Sequence, residues 1–127
     1  MAAESTKNIL HAMGKNGVKR LVLVSVAGIA VPQDKRGNSI IDSLLKFFLK
    51  DVFTDREKQL SLLNGSKVDW VAVRVPHLTD GVGTGSVKAF FGKPSPAMKL
   101  NRADLADFML KQLSTDQWLR QAPILSN

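Results

Sequence analysis

The sequence contains no cysteine and no tyrosine, and it has only two histidines, His11 and His77. Without cysteine, the chain can form neither a disulfide framework nor a thiolate nucleophile, and this fits a reducing compartment. Without tyrosine, no phenol is available as a proton donor. Two isolated histidines without cysteine do not predict a metal site. These absences exclude several kinds of catalytic centre.

Long apolar runs are also missing. No stretch approaches the roughly twenty apolar residues that a membrane-spanning helix needs, and the opening Met-Ala-Ala-Glu does not resemble a signal peptide. We therefore expect a cytoplasmic protein with no membrane partner. The length of 127 residues and the hydrophobic content of 44% predict a single domain over residues 1–127.

Positive charge exceeds negative charge, with 18 Lys and Arg against 11 Asp and Glu. The basic residues are spread along the chain, and adjacent pairs occur only at Lys19-Arg20 and Lys35-Arg36. A nucleic-acid site usually concentrates Lys and Arg on one face or along one segment. The spread therefore indicates a solvated surface, and nucleic-acid binding is the weakest of the functions considered.

The hydrophobic pattern predicts alternating helices and strands. Residues 4–13 predict an amphipathic helix that ends at Gly14 or Gly17, and residues 19–26 predict a buried parallel strand. After a loop at 28–38, residues 39–53 predict a helix buried on more than one side, and a second helix covers 55–63. The remaining predicted elements are a strand at 68–75, an irregular segment at 86–99 with a short edge strand at 98–100, a helix at 102–113 with Asn101 as its N-cap, and a last strand at 122–126.

The most informative segment is the apolar run at 68–75, which ends at Pro76 and leads into a polar, glycine-rich stretch. Proline cannot continue a central strand, so a loop is expected after residue 75. In open α/β sheets, ligands bind outside the carboxyl ends of the strands. This position makes candidate site residues of Arg74, His77, Thr79 and Asp80.

Residues 69–81, Asp-Trp-Val-Ala-Val-Arg-Val-Pro-His-Leu-Thr-Asp-Gly, resemble the sixth-strand region of atypical short-chain dehydrogenase/reductases. This NAD(P)H-binding, NmrA-like family includes flavin and biliverdin reductases. The segments 8–25 and 100–110 are similar to its preceding helix and strand and to its late helix. The resemblance covers residues 4–126 and implies an α/β, partial Rossmann-like fold, the C-terminal half of a doubly wound parallel sheet.

The resemblance also implies a cofactor, NADP or NAD, and a dinucleotide or flat aromatic substrate as binding partner. The cofactor would contact five residues: Ser25, Pro76, His77, Leu78 and Thr79. Lys58 and Arg74 would contact substrate. The family often has a second hydroxyl residue after the position of Ser25, where this chain has Val26. Because the Tyr/Lys pair of the wider superfamily is absent, no catalytic residue is identified, and enzymatic activity stays open.

The family's phosphate-binding turn follows its first strand, and the sequence has no counterpart of that turn. Gly81-Val82-Gly83-Thr84-Gly85 follows a late strand and is interpreted as a loop at the edge of the site. We therefore expect an oxidoreductase-like protein with doubtful cofactor binding and little independent catalysis. The alternative is a non-catalytic NmrA-like regulatory or protein-interaction module. An unpaired edge on the strand at 19–26 predicts a homo-oligomer, most simply a dimer.

Overall fold

The computed structural model describes residues 1–37, 44 and 47–127, which contain both helices and strands. The helices are α1 (Ala2–Asn16), α2 (Lys50–Gly65) and α3 (Arg102–Lys111). The strands are β1 (Arg20–Val26), β2 (Asp69–Val75), β3 (His77–Thr79), β4 (Lys88–Phe90), β5 (Lys99–Asn101) and β6 (Ile124–Ser126), and a 3-10 turn covers Pro32–Asp34.

The main sheet has the strand order β1-β2-β6-β4. Strands β1, β2 and β6 are parallel, while β4 pairs antiparallel with β6, and β3 and β5 form a separate parallel pair. The pairing of β1 with β2 runs without interruption from Arg20 opposite Asp69 to Val26 opposite Val75. The prediction of an α/β fold with a mostly parallel sheet is confirmed.

Both faces of β2 are covered, which explains why the strand is apolar at almost every position. Trp70 and Ala72 pack with Leu60 and Leu63 of α2 on one face. The alternate residues Val71, Val73 and Val75 pack on the other face with a cluster that includes Leu100, Leu105 and Leu125. Side chains of a strand alternate between its two faces, so a doubly covered strand needs apolar residues on both.

The start of α1 is capped by a side chain from α2. Asp55 accepts hydrogen bonds from the backbone N–H of Ala2 (2.7 Å) and of Ala3 (3.0 Å), and from the Met1 ammonium (3.0 Å). The bond from Ala3 contributes most to lowering the pKa of Asp55, to about 2. At the other end, Gly17 adopts the left-handed conformation (φ 67°) and donates its N–H to Met13.

The predicted break between two helices at residues 53–55 is wrong, because α2 runs through Thr54 without interruption. Residues 39–43, 45 and 46 of the earlier predicted helix, and residue 38 of the predicted loop before it, lie outside the described residues. Burial on more than one side is also wrong for Phe47 and Phe48, which are 75% and 78% exposed, and for Val52, which is 51% exposed. Periodicity identified apolar residues but not which of them a neighbouring element covers.

Two short strands occupy segments that were expected to be irregular. Pro76 ends β2 as predicted, yet β3 begins at the next residue, because His77–Thr79 finds a partner in β5. Likewise, β4 pairs with the C-terminal β6. Both strands have three residues and depend on partners that are more than twenty residues away, so local sequence gives little sign of them.

Arg74 and Asp34 form an ion pair whose side chains are both fully buried. Nη1 and Nη2 of Arg74 donate to the two carboxylate oxygens of Asp34 at 2.6 and 2.7 Å. Nη1 also donates to the carbonyl of Ile29 (2.7 Å), and Nε donates to that of Ala122 (2.6 Å). The guanidinium therefore joins β2 to the segment after β1 and to the segment before β6.

The Asp34 carboxylate accepts further bonds from the backbone N–H of Val31 (3.0 Å) and of Gly92 (2.9 Å). Burial by itself raises the pKa of Asp34, but the hydrogen bonds from Arg74, Val31 and Gly92 outweigh it and hold the pKa below its usual value of 3.8. Arg36 lies 3.3 Å from the same carboxylate and donates to the carbonyls of Ala27 and Gly92.

Replacement of Asp55 by Asn should weaken α1, because the neutral amide loses the charge-assisted bonds to the first N–H groups of the helix. We expect a thermal midpoint a few degrees lower and faster amide exchange in α1. Glu57→Gln on the exposed face of α2 is the matched control. In the native protein, the contribution of Asp55 should be complete above the pKa of a free aspartate and should disappear as the pH falls through about 2. Equal effects of the two substitutions would contradict the capping role.

Removal of the Arg74 charge in Arg74→Met should cost about 3–5 kcal/mol in the free energy of unfolding, because Asp34 is left charged and buried with only the longer 3.3 Å contact to Arg36. Chemical denaturation measures this loss. Arg102→Met breaks an Arg–Asp contact of the same length, 2.6 Å to Asp80, but on the surface, and should cost at most about 1 kcal/mol.

The pH dependence of the pair has a definite sign. Since the pKa of Asp34 is lowered in the folded state, the stabilisation is complete above the pKa of an unfolded aspartate and is lost as the pH falls through the folded value. Arg74→Met should remove most of this acid dependence. A variant with unchanged acid dependence would show that the pair contributes little to the stability.

Candidate functional site

The carboxyl ends of β1 and β2 lie level with each other. Val26, the last residue of β1, is the register partner of Val75, the last residue of β2. Ala27 then donates its N–H to the carbonyl of Val75 at 3.0 Å. Ser25 and the segment that begins at Pro76 therefore occur at one edge of the sheet, as the sequence predicted for two parallel strands.

Ser25 is fully buried, and its register partner is Arg74. Within the described residues, its Oγ has no hydrogen-bond partner. A buried hydroxyl without a partner is uncommon and calls for an explanation. The position fits a polar contact at the carboxyl edge, but a ligand could reach Oγ only after a neighbouring side chain moves.

The side chains of the segment after β2 are more exposed than the side chain of Ser25. His77 is exposed, whereas Pro76, Leu78 and Thr79 are half-buried. The pairing of β3 with β5, from His77 opposite Lys99 to Thr79 opposite Asn101, fixes the backbone of this segment. The structure thus offers an accessible imidazole on a fixed strand beside the ends of β1 and β2. Contact of these residues with a cofactor stays a prediction.

Arg74 has no exposed surface, and its guanidinium is engaged by Asp34 and two backbone carbonyls. Its only ring neighbour among the described residues is Phe91, whose centroid lies 5.9 Å from the guanidinium carbon. The structure therefore gives Arg74 a structural environment. Contact of Arg74 with substrate stays a prediction, and it would require the ion pair to open.

Lys58 lies apart from the other candidates. It is exposed on α2 and lines an open groove of about 500 Å³ between α1 and α2, together with Ala3, Glu4, Lys7, Ser61, Leu62 and Gly65. Neither Ser25 nor His77 borders this groove. Contact of Lys58 with substrate stays a prediction, and the surroundings of Lys58 differ from those of the other predicted site residues.

The glycine-rich loop that begins at Gly81 surrounds a carboxylate of its own chain. Asp104, in the first turn of α3, accepts bonds from the backbone N–H of Thr84 (3.1 Å) and Gly85 (3.0 Å) and from the Thr84 hydroxyl (2.8 Å). A Cβ on Gly83 would come within 2.9 Å of Asp104 Oδ1, so a side chain there would displace the carboxylate. Asn127 donates its side-chain amide to the same carboxylate at 2.8 Å.

Burial of Asp104 by itself raises the pKa of its carboxyl group, but the hydrogen bonds from Thr84, Gly85 and Asn127 prevail and lower it. The carboxylate is therefore charged at neutral pH. Two backbone N–H groups of the loop are already engaged by this charge, which agrees with the interpretation of the segment as a loop at the site edge and not as a phosphate cradle.

Sequence reasoning missed Asp34, Arg36 and Asp104 as organisers of this edge. For Asp104, the signal was its place three residues after the N-cap Asn101, whose side chain accepts from the N–H groups of Ala103 and Asp104. For Asp34, local sequence gave no pointer to Arg74, forty positions away.

Two negative findings apply to the part of the chain that the structure describes. No three His, Asp or Glu side chains come together there in a way that could hold a metal ion. Across the same residues, no helix has the length and apolar character needed to cross a membrane.

Several solved structures share this fold at low sequence identity. ChuY, an anaerobilin reductase from Escherichia coli O157:H7, superposes with a TM-score of 0.75 at 19% identity, covering 98% of this chain and 58% of ChuY. A short-chain dehydrogenase/reductase from Veillonella parvula, solved with NADP, gives 0.73 at 13% identity and covers 98% and 58%. SP1627 from Streptococcus pneumoniae, provisionally named an NADH-flavin reductase, gives 0.72 at 16% identity and covers 99% and 63%.

These identities establish a shared fold and nothing finer. The chain spans 58% of the length of ChuY and 63% of that of SP1627. The sequence pattern of an NAD(P)H-binding family matches residues 2–116, which is most of the chain. This match establishes that the chain belongs to the NAD(P)H-binding family, and the mostly parallel sheet gives it a Rossmann-like fold.

Proposed function

We propose that this chain forms the substrate side of an NAD(P)H-dependent oxidoreductase of the flavin- or biliverdin-reductase type, without the glycine-rich half that holds the phosphates. By itself, it would have little independent catalysis. The carboxyl edge of the sheet, at the ends of β1 and β2, would hold the substrate. The names of ChuY and SP1627 suggest that this substrate is a flat conjugated molecule.

The observation that supports the proposal best is the level ending of β1 and β2, with exposed His77 next to that edge. Ligands of open α/β sheets bind outside the carboxyl ends of the strands. A neutral imidazole can donate or accept a proton near physiological pH and can stack on a flat ring. His77 is therefore the side chain best placed to contact a flat ligand.

A nicotinamide cofactor would supply hydride transfer, and the protein would supply orientation. The chain fits the ring end of such a cofactor, where the Ser25 hydroxyl lacks a partner among the described residues and Pro76–Thr79 forms a fixed border. It fits the phosphate end poorly, because the loop N–H groups of Thr84 and Gly85 are bound to Asp104. We also propose that the cofactor is NADP or NAD and that the protein is cytoplasmic.

A non-catalytic regulatory or interaction module is the second candidate. It is favoured by the absence of tyrosine and by the exposed apolar side chains of Phe47, Phe48 and Val52, because contiguous exposed apolar surface often marks a protein interface. Consumption of NADPH in the presence of flavins or quinones would separate the two candidates. Turnover would favour the oxidoreductase, whereas binding without turnover would favour the module.

We expect the isolated chain to bind NADPH weakly, with a dissociation constant no tighter than micromolar. The pyrophosphate normally depends on backbone N–H groups at a helix N-terminus after the first strand, and no such turn occurs in these 127 residues. Isothermal calorimetry measures the affinity. Sub-micromolar binding would show that the chain has a phosphate site of its own and would overturn the expectation.

Substitution of His77 should weaken binding of NADPH or flavin mononucleotide more than substitution of His11. Both imidazoles are exposed, but only His77 lies at the carboxyl edge. We expect His77→Ala to raise the dissociation constant by roughly threefold to tenfold and His11→Ala to leave it unchanged. Ring-proton shifts in a ligand titration provide a second measurement. Equal responses of the two residues would place the ligand elsewhere.

A further inference from the structure

Residues 80–86, which contain the glycine-rich loop, form an exposed strap between β3 and β4. In the part of the chain that the structure describes, no backbone–backbone hydrogen bond ties this strap to another segment. Val82, the only aliphatic residue of the strap, is 94% exposed and anchors nothing. A segment with few buried contacts and little backbone pairing belongs to the least stable part of a fold. The few side chains that hold the strap therefore determine its position.

The strongest of these contacts comes from the first turn of α3. The Asp104 carboxylate accepts from the N–H groups of Thr84 and Gly85 and from the Thr84 hydroxyl, at 3.1, 3.0 and 2.8 Å. The side-chain amide of Asn101 donates to three carbonyls of the strap, but only at 3.3–3.4 Å. Hydrogen bonds to a charged acceptor are roughly twice as strong as neutral ones. Asp104 is therefore the principal tie between the strap and α3.

Asp104 is available for this contact because another residue does what its side chain does in a capping box. There, the side chain three residues after the N-cap reaches back to the N–H group of the cap. Here the N–H group of Asn101 donates instead to Oδ1 of Asn127 at 2.6 Å. The amide of Asn127 also donates to Asp104 (2.8 Å) and to the Ser86 carbonyl (2.9 Å). The start of α3 thus leaves the Asp104 carboxylate to the strap.

Both ends of the strap lie near the carboxyl edge of the main sheet. The strap begins directly after β3, which contains His77 and follows β2 after a single residue. Its other end is bonded to Asn127, the residue after β6. Strand β6 runs parallel to β2, with Ile124 opposite Arg74, so its carboxyl end lies on the same side of the sheet. The strap therefore borders the edge at which the candidate site is expected.

We propose that Asp104 is a latch that holds the strap against the start of α3, and that release of this latch opens the carboxyl edge to a flat ligand. Control of access rests on the proposed function, whereas the latch itself does not. All the groups bonded to the carboxylate are donors, so the latched state depends on a side chain that only accepts. Without it, the strap leaves α3 as a unit.

Amide exchange of the whole chain without ligand tests the latch. Asp104→Asn keeps the shape of the side chain, but its N–H₂ group must face at least one donor of the strap. We expect exchange at Thr84 and Gly85 to become about tenfold faster, while exchange in β2 stays unchanged. Asp107→Asn, which removes a surface ion pair with Lys111 on the same helix, is the matched control. Native exchange rates at Thr84 and Gly85 in Asp104→Asn would overturn the proposal.

Gly83→Ala tests the latch from the strap and leaves every hydrogen-bonding group in place. The added Cβ would stand 2.9 Å from Oδ1 of Asp104, so the carboxylate has to move away. Exchange at Thr84 and Gly85 should again become faster, whether or not Asp104→Asn folds well. Gly14→Ala, where an added Cβ meets nothing within 4 Å, is the control. Exchange as slow as in the native chain would contradict the latch.

A titration with flavin mononucleotide tests the control of access. The line widths of the His77 ring protons report how fast the ligand leaves, and both unlatched variants should release it roughly threefold to tenfold faster. Asp107→Asn should release it at the native rate. Faster exchange in the strap with unchanged release would refute the control of access. Absence of any shift at His77 in the native chain would contradict the proposed function, and with it the control of access, while amide exchange would still decide the latch.

Discussion

The buried pair of Arg74 and Asp34 is the interaction on which the carboxyl edge of the sheet depends. A charge in the middle of a fully covered strand is tolerated only when a partner and additional hydrogen bonds compensate for lost hydration. Here the partner comes from the 3-10 turn after β1, and the additional bonds reach Ile29, Gly92 and Ala122. Arg74 thus joins β2 to the segment after β1 and to the segment before β6, and Asp34 adds the segment at Gly92.

That arrangement fixes the backbone at the carboxyl edge, where the candidate site is expected. The turn that carries Asp34 follows β1 directly after the level strand ends, and Arg36 adds bonds to Ala27 and Gly92. The backbone of His77, whose side chain is exposed, is held by the β3–β5 pair. His77 and Arg74 are therefore three positions apart in the sequence but differ completely in burial.

Much of the fold could be predicted from local signals. Gly17 marked the end of α1, the aliphatic run of β1 and that of β2 marked parallel strands, and Asn101 marked the start of α3. Each signal depends on a few adjacent residues. The strands β3 and β4 could not be predicted in this way, since three residues form a strand only when a distant partner supplies the hydrogen bonds.

The site was harder to predict than the fold, for a related reason. Arg74 was correctly placed near the carboxyl edge, yet only its pairing with Asp34, forty positions earlier, determines that its guanidinium is buried. Exposure of Phe47 and Phe48 likewise depends on which elements pack beside them. Sequence periodicity describes one element at a time, whereas burial is a property of the assembled layers.

The carboxylate of Asp104 has a consequence for how the glycine-rich loop can respond to anions. A group tethered to the same chain competes at an effective concentration of millimolar or more, and the N–H groups of Thr84 and Gly85 are already bound to it. A dissolved phosphate would have to displace this resident charge and would also meet its repulsion. The loop is therefore a poor binding site for dissolved phosphate, although its glycine spacing resembles that of an anion-binding turn.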